Sequence, residues 1–293
     1  MKICIWITKI FDLGGTKRVV SLLANELVKE HEVTIMTYED RFREDRTMYH
    51  LSEDINVDFI DNSQFVNKHH TPAFCARYLV KKLNDRSGMF NKKSLNPILA
   101  EAIFPQKTRE KWVEYFNSQD YDVILTTASL SLRLAMIAPR LKAATIGWQH
   151  NCYDGYLHVK PVVFWQQENL LQQYLPNLDR YIVLSDYDKR DYMEKLGIDC
   201  EVKINPRSFV SEKKCDVKSK RFLMATRFVY AKGLDLMMES FEEFCKEDSE
   251  WELDIIGDGD LFDQIRADAK KRHLEKRVHF VGYTNEPEKY YLN

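Results

Sequence analysis

The chain has 293 residues, with 43 Lys and Arg against 45 Asp and Glu for a formal net charge of −2; 44% of it is hydrophobic, with 10 Gly and 8 Pro. This is a globular composition, long enough for about two domains, and it excludes collagen-like, low-complexity and wholly disordered chains. No apolar run approaches the ~20 residues that span a bilayer. Met1–Ile7 holds one Lys and an apolar stretch too short for a secretory signal, so a cytoplasmic start is expected. Cys4, Cys75, Cys152, Cys200, Cys215 and Cys245 form no Cys-x-x-Cys pair and no zinc-spaced cluster, so reduced thiols and no metal are expected.

Ile3–Ile7 reads as a buried strand that runs into a glycine-containing loop. Residues 17–29 follow as a helix, because Val20, Leu23, Ala24, Leu27 and Val28 make one apolar stripe. Further strands are predicted at Val33–Met36, Tyr121–Thr126, Ala143–Trp148, Tyr181–Ser185 and Glu201–Ile204, with helices at Ser131–Leu141 and Asp188–Leu196. Such alternation points to a mostly parallel sheet covered by helices on both faces. A second series starts near residue 220. It has strands at Arg221–Thr226, Leu253–Gly257 and Val278–Gly282, and helices at Leu234–Lys246 and Leu261–Arg272. The polar segment 206–219, opened by Pro206, reads as a linker between a domain 1–205 and a domain 220–293. The second domain is small for an independent core and would leave an open sheet edge, so further C-terminal sequence is expected.

Between Lys68 and Lys111 ten Lys and Arg stand against Asp85, Glu101 and Glu110. Phe74, Tyr78, Phe90, Phe104 and Trp112 lie among or beside them. The stretch suits an anionic membrane surface, or else is an ordinary solvated face with some buried aromatics. No nucleic-acid-binding motif accompanies it.

Four short motifs carry chemistry. Gly14 and Gly15, between the first strand and helix, allow close backbone approach to a ligand at a helix N-terminus. The dinucleotide pattern Gly-x-Gly-x-x-Gly is absent, although Glu39 or Asp40 stands where a ribose-binding acid would. Arg227 and Lys232 lie on one loop after a strand, spaced to reach a single diphosphate. Gly257-Asp258-Gly259 marks a turn, and His150 lies at a strand end.

In their joint order these pieces resemble the retaining glycosyltransferases of family 4, the group 1 glycosyltransferases with the GT-B fold. The likeness is clearest at 14–27, 181–197 and 225–241, continues through WELDIIGDGDLFDQI and RVHFVGY, and includes Asn205-Pro206 at the interdomain crossover. It implies an α/β fold of two facing Rossmann-like domains, the second incomplete. It also implies metal-free transfer of a sugar, with retention, from a UDP- or GDP-sugar to a hydroxyl acceptor, with no other cofactor. By this resemblance Gly14 and Gly15 lie against the donor phosphate and acceptor, and His150 lies close to the transferred sugar. Arg227 and Lys232 hold the diphosphate, Gly257 belongs to the donor site, and Gly282 and Tyr283 contact the nucleobase. A lipid-linked or polysaccharide acceptor in cell-surface or capsule synthesis is expected, at the inner face of the cell membrane.

The family's Glu-x7-Glu acids, which orient donor sugar and ribose, have no counterpart before residue 293. Glu239/Glu247 and Glu242/Glu250 share that spacing but read as a solvated helix face. Two other readings stay open: an inactive truncated remnant that binds nucleotide weakly or not at all, and a nucleotide-sugar epimerase on a related scaffold.

Overall fold

Ile3 and Ile5 face one side of a sheet, and Cys4 and Trp6 face the other. Residues 1–39, 41–61, 65, 71–159, 163–216, 218–248, 250–284 and 286–291 are described by the computed structural model; Asp40 and Lys68 lie outside them. The chain divides into Met1–Ser208 and Phe209–Asn293.

The first unit holds β1 (Lys2–Trp6), β2 (Glu32–Thr37), β3 (Asn56–Phe59), β4 (Val123–Thr127), β5 (Ala144–Trp148), β6 (Arg180–Val183) and β7 (Glu201–Val202). They form one parallel sheet in the order β3-β2-β1-β4-β5-β6-β7. Its helices are α1 (Gly15–Leu27), α2 (Pro72–Ser87), α3 (Asn96–Ile103), α4 (Gln106–Ser118), α5 (Ser129–Ile137), α6 (Tyr153–Leu157), α7 (Glu168–Tyr174) and α8 (Asp186–Leu196). Burial on both faces is why β1 reads as an unbroken apolar run. One core joins Ile3, Ile5, Val33 and Ile35 to Val20 and Ala24 of α1. The other packs Trp6 against Trp112 of α4, their rings 4.6 Å apart.

The basic stretch is helical in large part, as α2, α3 and α4. Of its aromatics, Phe104 and Trp112 are core residues, Phe74 and Phe90 are half-buried, and only Tyr78 is exposed. Two of the five aromatics thus belong to the core of the first unit.

The second unit has β8 (Arg221–Ala225), α9 (Leu234–Glu247), β9 (Glu252–Ile256), α10 (Phe262–Lys271), β10 (Val278–Gly282) and α11 (Glu288–Tyr291). Its sheet is parallel, in the order β10-β9-β8. Both crossovers move the chain the same way, and right-handed connections then place α9 and α10 on one face. Leu234, Met238 and Phe241 of α9 and Ile265 of α10 meet Leu253, Ile255 and Val278 there.

Candidate functional site

Parallel strands release their chain at one edge, and in an open α/β sheet ligands settle at that edge where the strand order reverses. In the first unit the reversal falls between β1 and β4. The β1–α1 loop leaves here, and its shape is imposed by a carboxylate. Buried Glu39, just past β2, accepts the backbone N–H groups of Ile10 at 2.5 Å and Phe11 at 2.9 Å through Oε2. Glu39 is thus committed to the fold and not available to a ribose. The hydroxyl of Tyr49 accepts the Gly14 N–H at 2.9 Å and donates to the Asp12 carbonyl at 3.0 Å.

The fold itself does not demand glycine at 14 and 15. Gly14 has an extended φ of 164°, and a Cβ there would meet only the flexible end of Lys17 at 3.1 Å. A Cβ on Gly15 would meet nothing within 4 Å. The absent side chains leave open space at the N-terminus of α1, where backbone N–H groups are free of helical partners.

At the neighbouring strand end Ala128 has φ 50° and ψ −126°, an unfavourable conformation for a residue with a Cβ. Strain of about 1–3 kcal/mol at a non-glycine residue persists only where the surroundings impose it, and such sites gather at functional edges. No sequence signal marks this alanine.

His150 follows β5, two strand spacings from β1, or about 10 Å. The preceding Gln149 is pinned: its Oε1 accepts the hydroxyls of buried Tyr181 and Tyr192, and its Nε2 donates to the Asn151 carbonyl at 3.1 Å. The His150 ring lies 4.4 Å from that of Trp148. Both ring nitrogens are buried without a well-formed hydrogen bond, although the Asn205 side chain faces the ring. Burial lowers the His150 pKa to about 4, with Asn205 opposing the shift. At neutral pH the ring is uncharged and keeps one unused donor and one unused acceptor.

In the second unit the edge loops are knitted by their backbones. Phe228 N–H donates to Asp258 at 2.9 Å, Leu261 N–H to Phe228 at 3.0 Å, and Gly257 N–H to Gly282 at 2.9 Å. Here glycine is obligatory. Gly257 has φ 129°, and a Cβ on it would lie 1.8 Å from the Thr226 carbonyl oxygen. Gly259, with φ 149°, would meet the Phe228 carbonyl oxygen at 2.7 Å. The Gly-Asp-Gly turn is therefore the seat of the β8–α9 loop. Buried Phe228 anchors that loop against Phe262, their rings 5.0 Å apart.

Arg227 and Lys232 flank this anchor. Both are exposed, and neither is in an ion pair among the described residues. Lys232 ends a 3₁₀ turn, Tyr230–Lys232, and Gly233, with φ 62°, starts α9. Gly282 (φ 82°) ends β10, and exposed Tyr283 follows it. The second unit thus gathers Arg227, Lys232, Gly257, Gly282 and Tyr283 at one edge, and the first gathers Gly14, Gly15 and His150 at its own. One of the two spaced Glu pairs, Glu242/Glu250, is bound by neighbouring cations. Arg272 holds Glu242 and Lys220 holds Glu250. Among the described residues no three His, Cys, Asp or Glu side chains cluster as a metal site.

Parallel α/β units with glycine-shaped loops at their carboxyl edges are Rossmann-like, the kind of unit from which GT-B glycosyltransferases are built. Residues 13–208 match the sequence family described as Glycosyltransferase Family 4, and residues 208–293 match Glycosyl transferases group 1. The chain belongs to glycosyltransferase family 4. It is 23% identical over 175 residues, 58% of the chain and 47% of the relative, to an uncharacterised glycosyltransferase of Haemophilus influenzae. It is 23% identical over 206 residues, 61% of the chain and 46% of the relative, to the alpha-monoglucosyldiacylglycerol synthase of Streptococcus pneumoniae. The chain therefore spans about half the length of these curated relatives. A variant of S. aureus TarM, in complex with fondaparinux, alpha-GlcNAc-glycerol and UDP, shares the fold: TM-score 0.67, 14% identity, 98% of this chain and 78% of that one.

Two predictions follow from the glycines and from His150. Gly257→Ala will destabilise the second unit by about 1–3 kcal/mol or more, whereas Gly15→Ala will change stability by less than about 0.5 kcal/mol; denaturant unfolding of both variants checks this. A depressed folded-state pKa makes the neutral His150 ring fully compatible with folding above the unfolded value of 6.5, and this compatibility is lost as pH falls to about 4. His150→Asn will therefore flatten the stability–pH curve in that window by roughly 3 kcal/mol, read from unfolding at stepped pH.

Proposed function

We propose that the chain carries the donor-binding and acceptor-side elements of a retaining glycosyltransferase. It would take a UDP- or GDP-sugar and pass the sugar to the hydroxyl of a lipid-linked or polysaccharide acceptor in cell-surface glycan synthesis. The carrying observation is the pair Arg227 and Lys232, two exposed cations without carboxylate partners among the described residues, on a loop locked by Gly257. The bidentate Arg fork and the Lys point charge suit a diphosphate, and the start of α9 adds free backbone donors. Gly282 and Tyr283 then take the base. Space at Gly14 and Gly15 takes phosphate and acceptor, and the uncharged His150 ring lies beside the sugar.

In this reading the acceptor oxygen bonds the sugar's anomeric carbon on the face from which the nucleoside diphosphate departs. The acceptor proton passes to a leaving phosphate oxygen. Arg227 and Lys232 neutralise the charge that grows there; losing one such preorganised donor typically costs roughly 2.7–4 kcal/mol at the transition state.

A metal-free thermal shift against UDP, GDP, ADP and NAD tests the donor site. One nucleoside diphosphate at a hundred times its Kd will stabilise the protein by about 2.7 kcal/mol, and Arg227→Ala will abolish the effect. No shift with any of them, from a cooperatively melting protein, removes the reading for this chain and leaves the binding-incompetent remnant. Isomerisation of a nucleotide-sugar without acceptor would instead support the epimerase.

The inner membrane surface is the proposed workplace. Among the described residues no helix is long and apolar enough to cross a membrane. The outward face of α2 supports surface binding: Tyr78, Leu79 and Leu83 are exposed beside Lys82 and Arg86. Vesicles rich in phosphatidylglycerol will sediment the protein at low salt, and Leu79→Gln with Leu83→Gln will weaken this severalfold. Sedimentation indifferent to that pair and to salt would remove the membrane assignment.

A further inference from the structure

A cavity of about 230 Å³ opens in the first unit among α2, α3, α4 and α5. Phe74, Tyr78, Phe104 and Trp112 are among its aromatic lining, and Arg77, Lys81 and Arg133 are its charged groups. No carboxylate lines it, and none pairs with these three cations among the described residues. Glu101 of α3 is turned to Arg109 instead, at 3.6 Å.

Arg133 is already fixed. Its guanidinium lies over the Phe104 ring, 5.7 Å from the centroid, and close enough to the Tyr38 phenol for its charge to favour the ionised form. Tyr38 gives no countercharge, because burial keeps its phenol protonated. A net positive, partly desolvated pocket with an apolar lining is matched by a ligand that is anionic at one end and apolar beyond it. The location adds to this. Tyr38 follows the end of β2 and Arg133 lies within α5, which starts just past β4, so the cavity adjoins the edge that carries Gly14 and His150.

We propose that this cavity binds a phosphate ester bearing an apolar chain. The phosphate sits among Arg77, Lys81 and Arg133, and the first methylenes lie against Phe74, Phe104 and Trp112. This deepens the functional reading by giving the acceptor a chemical class, and as an acceptor site it rests on that reading; the binding itself needs no transfer step.

Calorimetric titration of the full chain with decyl phosphate, kept below its micelle concentration, tests it. Inorganic phosphate and decyl maltoside serve as the two half-ligands. Decyl phosphate will bind at one saturable site, and each half-ligand will bind at least about tenfold more weakly. Arg77→Gln and Lys81→Gln will each weaken decyl phosphate by about tenfold, the scale of one charge-assisted contact. These two side chains project from α2 outside the buried core, so their variants will keep the parent melting temperature; Arg133→Gln is a third variant wherever it folds. Equal binding of decyl maltoside overturns the anionic half, and equal binding of inorganic phosphate overturns the apolar half. Binding unchanged in the Arg77→Gln, Lys81→Gln double variant overturns the site. UDP-induced stabilisation measured on the same variants reports the donor reading separately. Lost decyl phosphate affinity with intact UDP response upholds this cavity, and an absent UDP response with intact decyl phosphate binding counts against the donor site alone.

Discussion

Parallel pairing governs everything else in this molecule. Among the described residues every strand pair in both sheets is parallel. A parallel neighbour can be reached only by a crossover that returns the chain to its starting edge. Each unit therefore delivers all its strand-leaving segments to a single edge, whatever their distance in sequence. Gly14 and His150 share an edge for this reason, as do Arg227, Gly257 and Gly282. The edge also explains the strain at Ala128. That residue must turn the chain from β4 directly into α5, and it does so without the freedom of glycine.

The glycines at the two edges have different physical reasons. Gly257 and Gly259 are where one backbone passes so close to another that a methyl group has no place. Gly15 borders space that the protein does not fill, and Gly14 faces only the flexible end of Lys17. The first kind builds a rigid seat for two cations, and the second leaves room for something else. Rigidity in the seat matters because a loop ordered before its ligand arrives loses less conformational entropy on binding.

Much of this was legible in the sequence, and the illegible parts share a cause. The central strands announce themselves as unbroken apolar runs, and α1 and α9 as single stripes, because hydrophobic burial alone decides them. Helix α2 is different. Its one fully buried side chain is polar: Asn84 donates to the Gln166 carbonyl at 2.8 Å and accepts the Phe90 N–H at 3.1 Å. Asn96 anchors α3 the same way, donating to the Asn169 carbonyl at 2.9 Å and to Gln173 at 2.7 Å. A helix held by an amide leaves no hydrophobic period to read. At the site, the spacing of Arg227 and Lys232 and the strand-end position of His150 were visible. The missing partners of the His150 ring, the angle at Ala128 and the cavity beside Arg133 arise only when distant segments meet. Glu39 shows the converse: an acid in a suggestive position, buried, with one carboxylate oxygen holding the loop beside it.

The Glu39 clamp makes the β1–α1 loop a two-piece part. Residues 8–14 supply the backbone, but the carboxylate that shapes them comes from beyond the next strand. The loop holds this form only with β2 docked beside β1, so its shape depends on the pairing of those strands. For recombination between relatives, in nature or by design, the unit of inheritance is then the whole β1–α1–β2 segment through Glu39. A crossover point placed inside α1 would join the loop of one parent to the brace of the other, so the edge would keep its shape only where both parents carry an acid that reaches the loop.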